Sequence, residues 1–372
     1  DIHLTPQGSV NIAQAVAQSQ PGEAIYLGDG TYKASDGNLN VSYSGKDLTI
    51  TAEQGAKPVW DLESQGRALI FTGGHTKNNT IKGITFRNGL ATYDEGLHNY
   101  DGTLGGGTMI FIGDSSRIED CSFENSNAAF SPFGMNYADG GAIDAIAGSN
   151  IEILKSKFTN SRTSHIGGAV HVGAEVDVQT GPDEYLRKSI PSRALILNCN
   201  FYDNFSPACQ GGGGAAFNGN SSGVVINTIF NNNKANFYDL GGIGGGAGAL
   251  NAKVFFAFDT FYNNSTIKDG SGFLGRGGGI DFSGLPPRDS SLSMVINTVN
   301  VNNNSAQGKK DLYLQPFNLD NATTTTNAIV LHNYFSERPL RIEYPPNRDN
   351  LSTNQIGQNP GFVSPNPQSP QD

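Results

Sequence analysis

Five polar residues could place acid–base chemistry along one face of this chain. Each follows the start of a strand-like segment that opens with Gly and Ala: Asp144, His171, Asn218, Asn251 and Asp281. Side chains alternate across a strand, so these five point outward if the preceding residues point inward, namely Ile143, Val170, Phe217, Leu250 and Ile280. Stacked strands would hold Asp144 and His171 about 5 Å apart, near enough for a coupled acid–base pair. The alternative is a solvated polar ladder without chemistry.

Two polar loops are predicted to form walls beside this strip. An insertion at 173–193 extends the unit that holds His165 and His171, and it carries Glu175, Asp177, Tyr185, Lys188 and Arg193. A second loop, at 92–107, carries His98 and Tyr100. Outgrowths from a regular repeat commonly lie on its functional face. The alternative interpretation is that both are surface loops without a role.

These residue types fit two reactions on a sugar polymer. Elimination from a uronate needs a base and a cation or metal, for which the candidates are His171, Tyr185, Arg162, Lys188, Arg193 and Arg276. Hydrolysis needs two carboxyl groups about 5 to 9.5 Å apart, which Asp139 or Asp144 could form with Glu175 or Asp177. Calcium is a possible cofactor, held by Asp139, Asp144 and Asp177. No short catalytic signature decides between lyase, hydrolase and epimerase.

The candidate site residues therefore fall into two groups. The catalytic group is Asp144, His171, Glu175, Tyr185 and Arg193. The substrate-binding group is His165, Asn218, Asn251, Arg276, Asp281, His98 and Tyr100.

The elements that position these residues follow from a repeat. Phenylalanines close short β-like runs and precede Asn at intervals of 29 to 43 residues: Phe86, Phe123, Phe158, Phe201, Phe230 and Phe261, with Val301 one unit later. The Gly-Ala series runs in step, and neither series shows a sustained helical period. A variable repeat of strand-like runs predicts a solenoid in which Phe stacks on Phe and Asn forms an external ladder. Both series then serve the scaffold.

The position two residues before each Phe is predicted to point inward. It carries Ile84, Cys121, Ser156, Cys199, Thr228, Asp259 and Val299. Cys121 and Cys199 would lie two coils apart, roughly 10 Å, which exceeds the Cα separation of a disulfide. We expect free thiols there, although Cys209 could approach Cys199.

The N-terminal segment narrows the class of fold. Residues 10–17 have an amphipathic helical pattern, followed by PGEAIYL at 21–27, GTY at 30–32 and LTITAEQGAKPVWDL at 48–62. This order resembles secreted right-handed parallel β-helix proteins of the pectate-lyase-like and alginate-lyase-like polysaccharide enzymes, over roughly residues 5–310. The F-x-x-N and G-G-A-I repeats are also similar to those of polymorphic outer-membrane proteins, whose passenger domains are adhesins. The resemblance implies an all-β, single-stranded right-handed parallel β-helix, with a cap at about 5–20.

Composition excludes several other classes of protein. The 372 residues include 48 Gly but are only 37% hydrophobic, which argues against a helical bundle or a doubly wound α/β fold. The net charge of −10 argues against a nucleic-acid partner, and no apolar run is long enough to span a membrane. We expect the β-helix to occupy 1–358 and a tail or linker to occupy 359–372. The chain begins at Asp1 without an apolar leader, which suggests a processed or trimmed sequence.

Two hypotheses of function from different classes follow. The first is an extracellular polysaccharide-degrading enzyme that acts by elimination, as a lyase, in preference to hydrolysis, as a glycoside hydrolase on the same scaffold. The second is a non-catalytic adhesin or surface-structural module. In both, the partner is a polysaccharide or cell-surface glycan and the location is extracellular or at the cell surface.

Overall fold

The fold was obtained as a computed structural model. It describes residues 1–91, 105–128, 138–179, 185–207, 211–237, 244–268, 278–285, 293–296, 299–301, 312–316, 328–331, 334–335 and 355–356. Side chains are described for 1–91, 105–128, 138–174, 190–207, 211–236, 244–266 and 278–282, and the other described residues contribute backbone only.

The chain forms a right-handed parallel β-helix, as predicted, in which successive coils add strands to the same stacked sheets. Sheet A consists of Ile2–Leu4, Ala24–Leu27, Thr49–Ala52, Thr80–Lys82, Ser115–Glu119, Asn150–Leu154, Arg193–Leu197, Ser222–Ile226, Lys253–Ala257, Ser293–Ile296 and Ala328–Leu331. Sheet B consists of Gly30–Lys33, Pro58–Asp61, Thr85–Arg87, Ser122–Glu124, Lys157–Thr159, Asn200–Tyr202, Ile229–Asn231, Thr260–Tyr262, Val299–Val301, Tyr334–Phe335 and Gln355–Ile356.

Two further sheets complete the coils. Sheet C consists of Val41–Ser42, Leu69–Phe71, Met109–Ile112, Ile143–Ile146, Val170–Val172, Ala215–Asn218, Ala247–Leu250, Ile280–Leu285 and Leu312–Pro316. Sheet D is shorter and consists of Asn127–Ala128, Arg162–Thr163, Phe205–Ser206, Lys234–Phe237 and Ser265–Lys268. Within a middle coil the chain passes from sheet C to A, then B, then D, and returns to C one coil later. The segment that joins each strand of sheet D to the next strand of sheet C therefore leads directly into any site on sheet C.

The predicted insertion is a hairpin between sheets C and A. Glu175–Gln179 pairs antiparallel with Tyr185–Ser189, and Asp177 stands opposite Arg187 in the register. It is the one antiparallel pair among the strands that the structure describes. The predicted tail at 359–372 lies outside the described residues.

A short helix closes the N-terminal end of the coil. It spans Ile12–Gln18 and begins with a capping box between Asn11 and Gln14. Ile12, Ala15 and Val16 are buried against the first coils, where they cover apolar edges that would otherwise be exposed. A single turn of 3₁₀ helix follows at Ala34–Asp36. The described residues contain no helix with the length and apolarity to cross a bilayer.

The predicted aromatic column is present inside sheet B. Phe86, Phe123, Phe158, Phe201, Phe230 and Phe261 lie in register on successive coils. Their ring centroids are 4.6 to 5.2 Å apart and their planes differ by 2 to 16°. Tyr32 and Trp60 extend the column toward the cap. The assignment of Val301 was wrong by one residue, because Asn300 pairs with Phe261 and the alternating VNVNNN sequence fits either register.

Inside the turn between sheets A and B, side chains bond to the backbone of the preceding coil. Ser156 Oγ accepts from Cys121 N at 3.2 Å, and Thr228 Oγ1 accepts from Cys199 N at 3.3 Å. Asp259 Oδ1 accepts from Thr228 N at 2.8 Å. Cys121 and Cys199 are buried free thiols, as expected, whereas Cys209 lies outside the described residues. Val299 again stands one residue out of register, opposite Thr260.

Glycine is required where the chain turns from sheet D back onto sheet C. Gly106, Gly140, Gly167, Gly212 and Gly244 have φ between +64° and +78°. A Cβ on Gly140 would lie 2.0 Å from Ile143 O, because the turn folds back over the outer face of its own strand. The Gly series is therefore a column of covering turns, and it bears directly on the candidate site beneath it.

Candidate functional site

The candidate site lies on the outer column of sheet C. Register pairing places these residues at equivalent positions on successive coils: Ile70, Ile110, Asp144, His171, Ala216, Gly248 and Asp281. Asp144 and His171 are adjacent partners, as the sequence predicts. Asp281 belongs to the same column but lies four coils from Asp144, about 19 Å away at the strand spacing.

Two members of the predicted strip were assigned to the wrong register. Asn218 stands two residues beyond the column and pairs with Leu250, and Asn251 is a turn residue with φ of 53°. Ala216 and Gly248 hold the column positions instead. Leu250 was predicted to point inward, but it is partly exposed on the outer face. For Asn218, the cause is the run of four glycines at Gly211–Gly214. Gly212 makes the turn, whereas the prediction aligned Gly213 with the turn glycines of the other coils, so the residues that follow were misaligned.

The strip lies on the outer face of the sheet, but its Asp144 and His171 are not accessible to solvent. Asp144 is 2% exposed and His171 is 3% exposed. The covering glycine turns explain this, because a Cβ on Gly140 would lie 3.1 Å from Asp144 N and one on Gly167 would lie 3.0 Å from His171 Cβ. Gly173 packs on the imidazole itself, where a Cβ would lie 2.5 Å from Cε1. The acid–imidazole pair is therefore buried under backbone.

Both nitrogens of His171 face an oxygen. Nδ1 lies 2.7 Å from Asp144 Oδ1, and Nε2 lies 3.1 Å from Asn218 Oδ1. Two acceptors around one ring are satisfied when both nitrogens carry hydrogen, which is the imidazolium form. Asn218 thus belongs to the site through the ring of His171, although not through the strip position that the sequence assigned to it.

A second acid–imidazole pair lies next to the first and reaches the surface. His165 Nδ1 lies 2.6 Å from Asp139 Oδ1, which also accepts from Ile166 N at 3.1 Å. The other oxygen, Asp139 Oδ2, lies 3.8 Å from His171 Nδ1. The side chains of His165 and Asp139 are 20% and 18% exposed. The four groups form a row, His165–Asp139–His171–Asp144, that runs from the surface into the protein.

The charges of this row hold the inner imidazole protonated. Burial alone would lower the pKa of His171, but the charges of Asp139 and Asp144 and the hydrogen bonds to Asp144 and Asn218 raise that pKa to about 9. Burial would raise the pKa of Asp139, yet the charges of His165 and His171 hold it below its ordinary value. Burial does raise the pKa of Asp144, and the charge of His171 only partly offsets this. His171 is therefore a fixed cation within the inner pair, with Asp139 ionised beside it.

Arg67 is a further buried cation that the sequence analysis missed. It is 2% exposed, and its Nε and Nη2 lie 2.9 Å from the carbonyl oxygens of Gly106 and Gly105 respectively. Burial raises the pKa of Asp144, and the charge of Arg67 offsets a small part of that rise. The repeat contained a signal that could have identified Arg67. The segment Arg67–Leu69 aligns with Gly141–Ile143, so Arg67 stands where the later coil has a glycine. An Arg in a position reserved for Gly marks a departure from the scaffold.

Of the remaining predicted residues, the structure describes the side chain of Arg193 alone, and it does not bring that side chain to this row. Arg193 begins a strand of sheet A and is exposed on its outer face, so it lies on a different sheet from His171. Glu175, Asp177 and Tyr185 lie on the hairpin, whose side chains are outside the described residues. His98, Tyr100 and Arg276 lie outside the described residues as well. Their predicted roles stay predictions.

The row does not fit the predicted calcium ion. Calcium takes six to eight oxygen ligands, whereas Asp139 and Asp144 both face the His171 imidazolium. A dication there would be repelled by the cation that the row already contains. In the part of the chain that the structure describes, no three His, Cys, Asp or Glu side chains are grouped to hold a metal.

The chain matches no known family model, and no curated protein matches it in sequence. Several solved structures are similar in fold. Pectate lyase Pel9A shares 15% identity over 89% of this chain and 78% of its own, with a TM-score of 0.45. The catalytic domain of a GH87 α-1,3-glucanase shares 12% identity over 88% of this chain and 68% of its own, with a TM-score of 0.31. A mutant of the periplasmic alginate epimerase AlgG shares 12% identity over 95% of this chain and 84% of its own, with a TM-score of 0.34.

Proposed function

We propose that the protein is an extracellular enzyme that cleaves a polysaccharide, by β-elimination at the row His165–Asp139–His171–Asp144. The observation that carries the proposal is the division of this row into two unlike pairs. The outer pair is partly exposed, while the inner pair is buried and holds the imidazole of His171 in its positively charged form. A reactive pair at the surface with a preorganised charge behind it is what proton abstraction requires.

His165 is the base in this proposal, instead of His171. Asp139 accepts the hydrogen on His165 Nδ1, which fixes the tautomer and makes Nε2 the basic nitrogen. His165 Nε2 would take the proton from the carbon next to the sugar carboxylate. The electron pair forms a carbon–carbon double bond, the adjacent carbon–oxygen bond breaks, and the leaving sugar oxygen takes a proton from water. The raised pKa of His171 suits it to positioning Asp139 and not to accepting a proton itself.

Hydrolysis by the two carboxyl groups is less well supported. A glycosidase needs one carboxyl group on each side of the scissile bond. Asp144 is 2% exposed and faces His171, so a sugar cannot reach it without displacing the covering glycine turns. Asp139 would then act without a partner.

Glycan binding without turnover is the second candidate. The burial of Asp144 and His171 favours it, because a buried ion pair is also compatible with a purely structural role. In that role the pair holds the turn that precedes sheet C. In that case Asp139 and His165 are part of a binding surface and the protein is an adhesin or structural module.

Turnover on a panel of polysaccharides separates these candidates. Pectate, alginate, glycosaminoglycans and neutral glycans are followed at 235 nm for the double bond and by reducing ends for any cleavage. We expect signal at 235 nm from an acidic polymer, with a loss of about 100-fold or more in His165→Asn. His3→Asn is the matched control, since His3 is exposed and pairs with Glu53 near the N-terminus.

Three outcomes contradict the elimination proposal. Reducing ends without absorbance indicate hydrolysis, and no cleavage with tight glycan binding supports the adhesin. Full activity in His165→Asn and Asp139→Asn would remove this row as the reacting centre.

A further inference from the structure

A cleft lies on the outer face of the coil, at the corner between sheets B and D, and its lining residue Arg162 is three residues before His165 in the sequence. Its volume is about 350 Å³, within the range of small-molecule sites, and it is lined by Asn160, Arg162, Asp203, Asn204, Phe205, Asn232 and Lys234. We infer that this cleft binds the carboxylates of an acidic oligosaccharide. That this ligand is also the substrate rests on the proposed function. That the cleft binds it does not, because binding can be tested without turnover.

The two cations of the cleft supply the charge that a uronate needs. Arg162 and Lys234 occupy the same outer column of sheet D, with Phe205 between them. Two coils separate the cations, about 10 Å at the strand spacing. In the described part of the chain, neither cation has a carboxylate within ion-pair distance. Two unpaired cations at this distance suit a ligand with more than one carboxylate, hence an oligomer.

The external Asn ladder is interrupted at this cleft. Elsewhere each amide donates to the preceding coil, as Asn160 Nδ2 does to Asn125 Oδ1 at 2.7 Å and Asn263 Nδ2 does to Asn232 Oδ1 at 3.1 Å. Asp203 occupies the next position after Asn160, and a carboxylate has no hydrogen to donate. Among the described residues, no donor is bonded to Asn160 Oδ1. The carboxylate of Asp203 accepts from Asn232, and the interruption leaves acceptors for sugar hydroxyls.

The cleft and His165 are linked by a short stretch of chain. Arg162 begins the two-residue strand that precedes His165, and three residues span at most about 10 Å. Ser206 follows Phe205 on the neighbouring strand, and its hydroxyl donates to His165 O at 2.5 Å. A chain laid across sheet D from the cleft would therefore arrive at the outer acid–imidazole pair. Phe205 is half-buried and offers an apolar surface to the face of a sugar ring.

Binding to a cleavage-impaired protein tests this inference. His165→Asn is titrated by calorimetry with oligogalacturonate, oligomannuronate, a sulfated oligosaccharide that lacks uronate, and a neutral cello-oligosaccharide. We expect one of the uronate oligomers to bind and the neutral one not to bind. Arg162→Gln and Lys234→Gln should each weaken binding about tenfold, the scale of one charge-assisted contact, and added salt should weaken it further.

Matched variants keep the test decisive. Lys33→Gln removes an exposed cation from sheet B near the N-terminus, and it should leave the affinity unchanged. Phe205→Leu retains an apolar side chain if Phe205→Ala does not fold. Equal affinity in His165→Asn with and without Arg162→Gln or Lys234→Gln overturns the inference, as does stronger binding of the neutral sugar. Preference for the sulfated oligosaccharide over both uronates also overturns it.

The outcomes also separate this inference from the proposed function. Uronate binding that depends on Arg162 and Lys234 without any turnover supports the cleft and removes the enzyme. Turnover that is unchanged in Arg162→Gln and Lys234→Gln supports the enzyme and removes the cleft.

Discussion

The inner column of sheet B and the outer column of sheet C are built from the same coils but follow opposite rules. Sheet B repeats Phe on six successive coils, with ring planes within 16° of one another. In sheet C only Ile70 and Ile110 repeat on consecutive coils, and the residue then changes to Asp, His, Ala and Gly. Identical residues allow each coil to pack on the next without a new geometry. A column whose residues differ from coil to coil does not stabilise the coils by stacking like side chains on one another. Its residues therefore reflect a requirement other than stacking.

The same contrast appears at smaller scale around His165. The Asn ladder is regular until Asp203, and Arg67 takes the position that Gly107 and Gly141 hold on the next two coils. Both departures lie beside the row or the cleft. In a solenoid, a departure from the repeat is therefore a better indication of function than the repeat itself.

Removing one ring tests the inner column with the largest expected effect. Phe158 is fully buried between Phe123 and Phe201, with centroids 4.7 and 4.8 Å away. Phe158→Ala should lower the free energy of unfolding by about 3–5 kcal/mol, because a cavity opens at the centre of the stack. The midpoint of chemical denaturation measures this change. Phe158→Leu serves as the control and should cost less; equal stability of wild type and Phe158→Ala would mean that the stack contributes little.

The fold could be predicted from the sequence because its signals repeat. The Phe column, the inward Cys and Ser positions and the cap helix each recur or have a local signature, and the coils place them in register. The site could be predicted only in part. Asp144 and His171 follow clear Gly-Ala motifs, but four consecutive glycines at 211–214 allow the pattern to slide, and Asn218 was misplaced for that reason.

Burial could not be predicted from the same sequence signals. Whether a strip is open depends on where the turn before each strand lies, and this follows from φ at Gly140 and Gly167. The pairing of Asp139 with His165 was missed because the two occupy different offsets before their glycines.

The pH dependence of stability tests the outer column. The ordinary pKa of His is about 6.5 in an unfolded chain, and that of His171 is about 9 in the folded protein. The stabilisation is therefore complete below pH about 6.5 and is lost as the pH rises through about 9, by on the order of 3 kcal/mol. Denaturation midpoints at intervals across this window should fall in the wild type. His171→Gln should be less stable at low pH and should lack this fall.

The exposed His3 provides the comparison for that experiment. Its side chain is 65% exposed, so His3→Gln should follow the wild-type curve. Parallel curves for wild type and His171→Gln would show that His171 is not held as a cation, and the preorganised charge behind His165 would be lost with it.

A smaller change in the free energy of unfolding is expected at Cys199. It lies in the inward-facing column of the turn between sheets A and B, where the residue type varies from coil to coil. Burial raises the pKa of its thiol to about 12, and its sulfur lies 3.5 Å from Ser156 N. Ser and Thr hold equivalent positions at Ser156 and Thr228, so Cys199→Ser should change the free energy of unfolding by less than about 1 kcal/mol. Cys199→Ala leaves the Ser156 N–H without an acceptor and should cost about 1–3 kcal/mol. Identical midpoints for the two variants would mean that hydrogen bonding does not define this column.

The smallest change in the free energy of unfolding is expected at Phe258, a bulky residue at a left-handed turn position where the other coils have polar residues. The turn after sheet A places Asp120, Lys155, Asn198, Asn227 and Phe258 at positive φ. Phe258 has φ of 58° and is 60% exposed, whereas Asn227 Nδ2 donates to Asn198 Oδ1 at 2.7 Å. Asn adopts the left-handed conformation more readily than Phe and would extend this ladder, so Phe258→Asn should raise the free energy of unfolding by about 1 kcal/mol. Thermal denaturation measures it, with Phe258→Ala as the control that removes the ring and keeps the strain. A loss of stability in Phe258→Asn together with weaker glycan binding would instead assign the exposed ring a role in recognition, and the rule that departures mark function would extend to this turn.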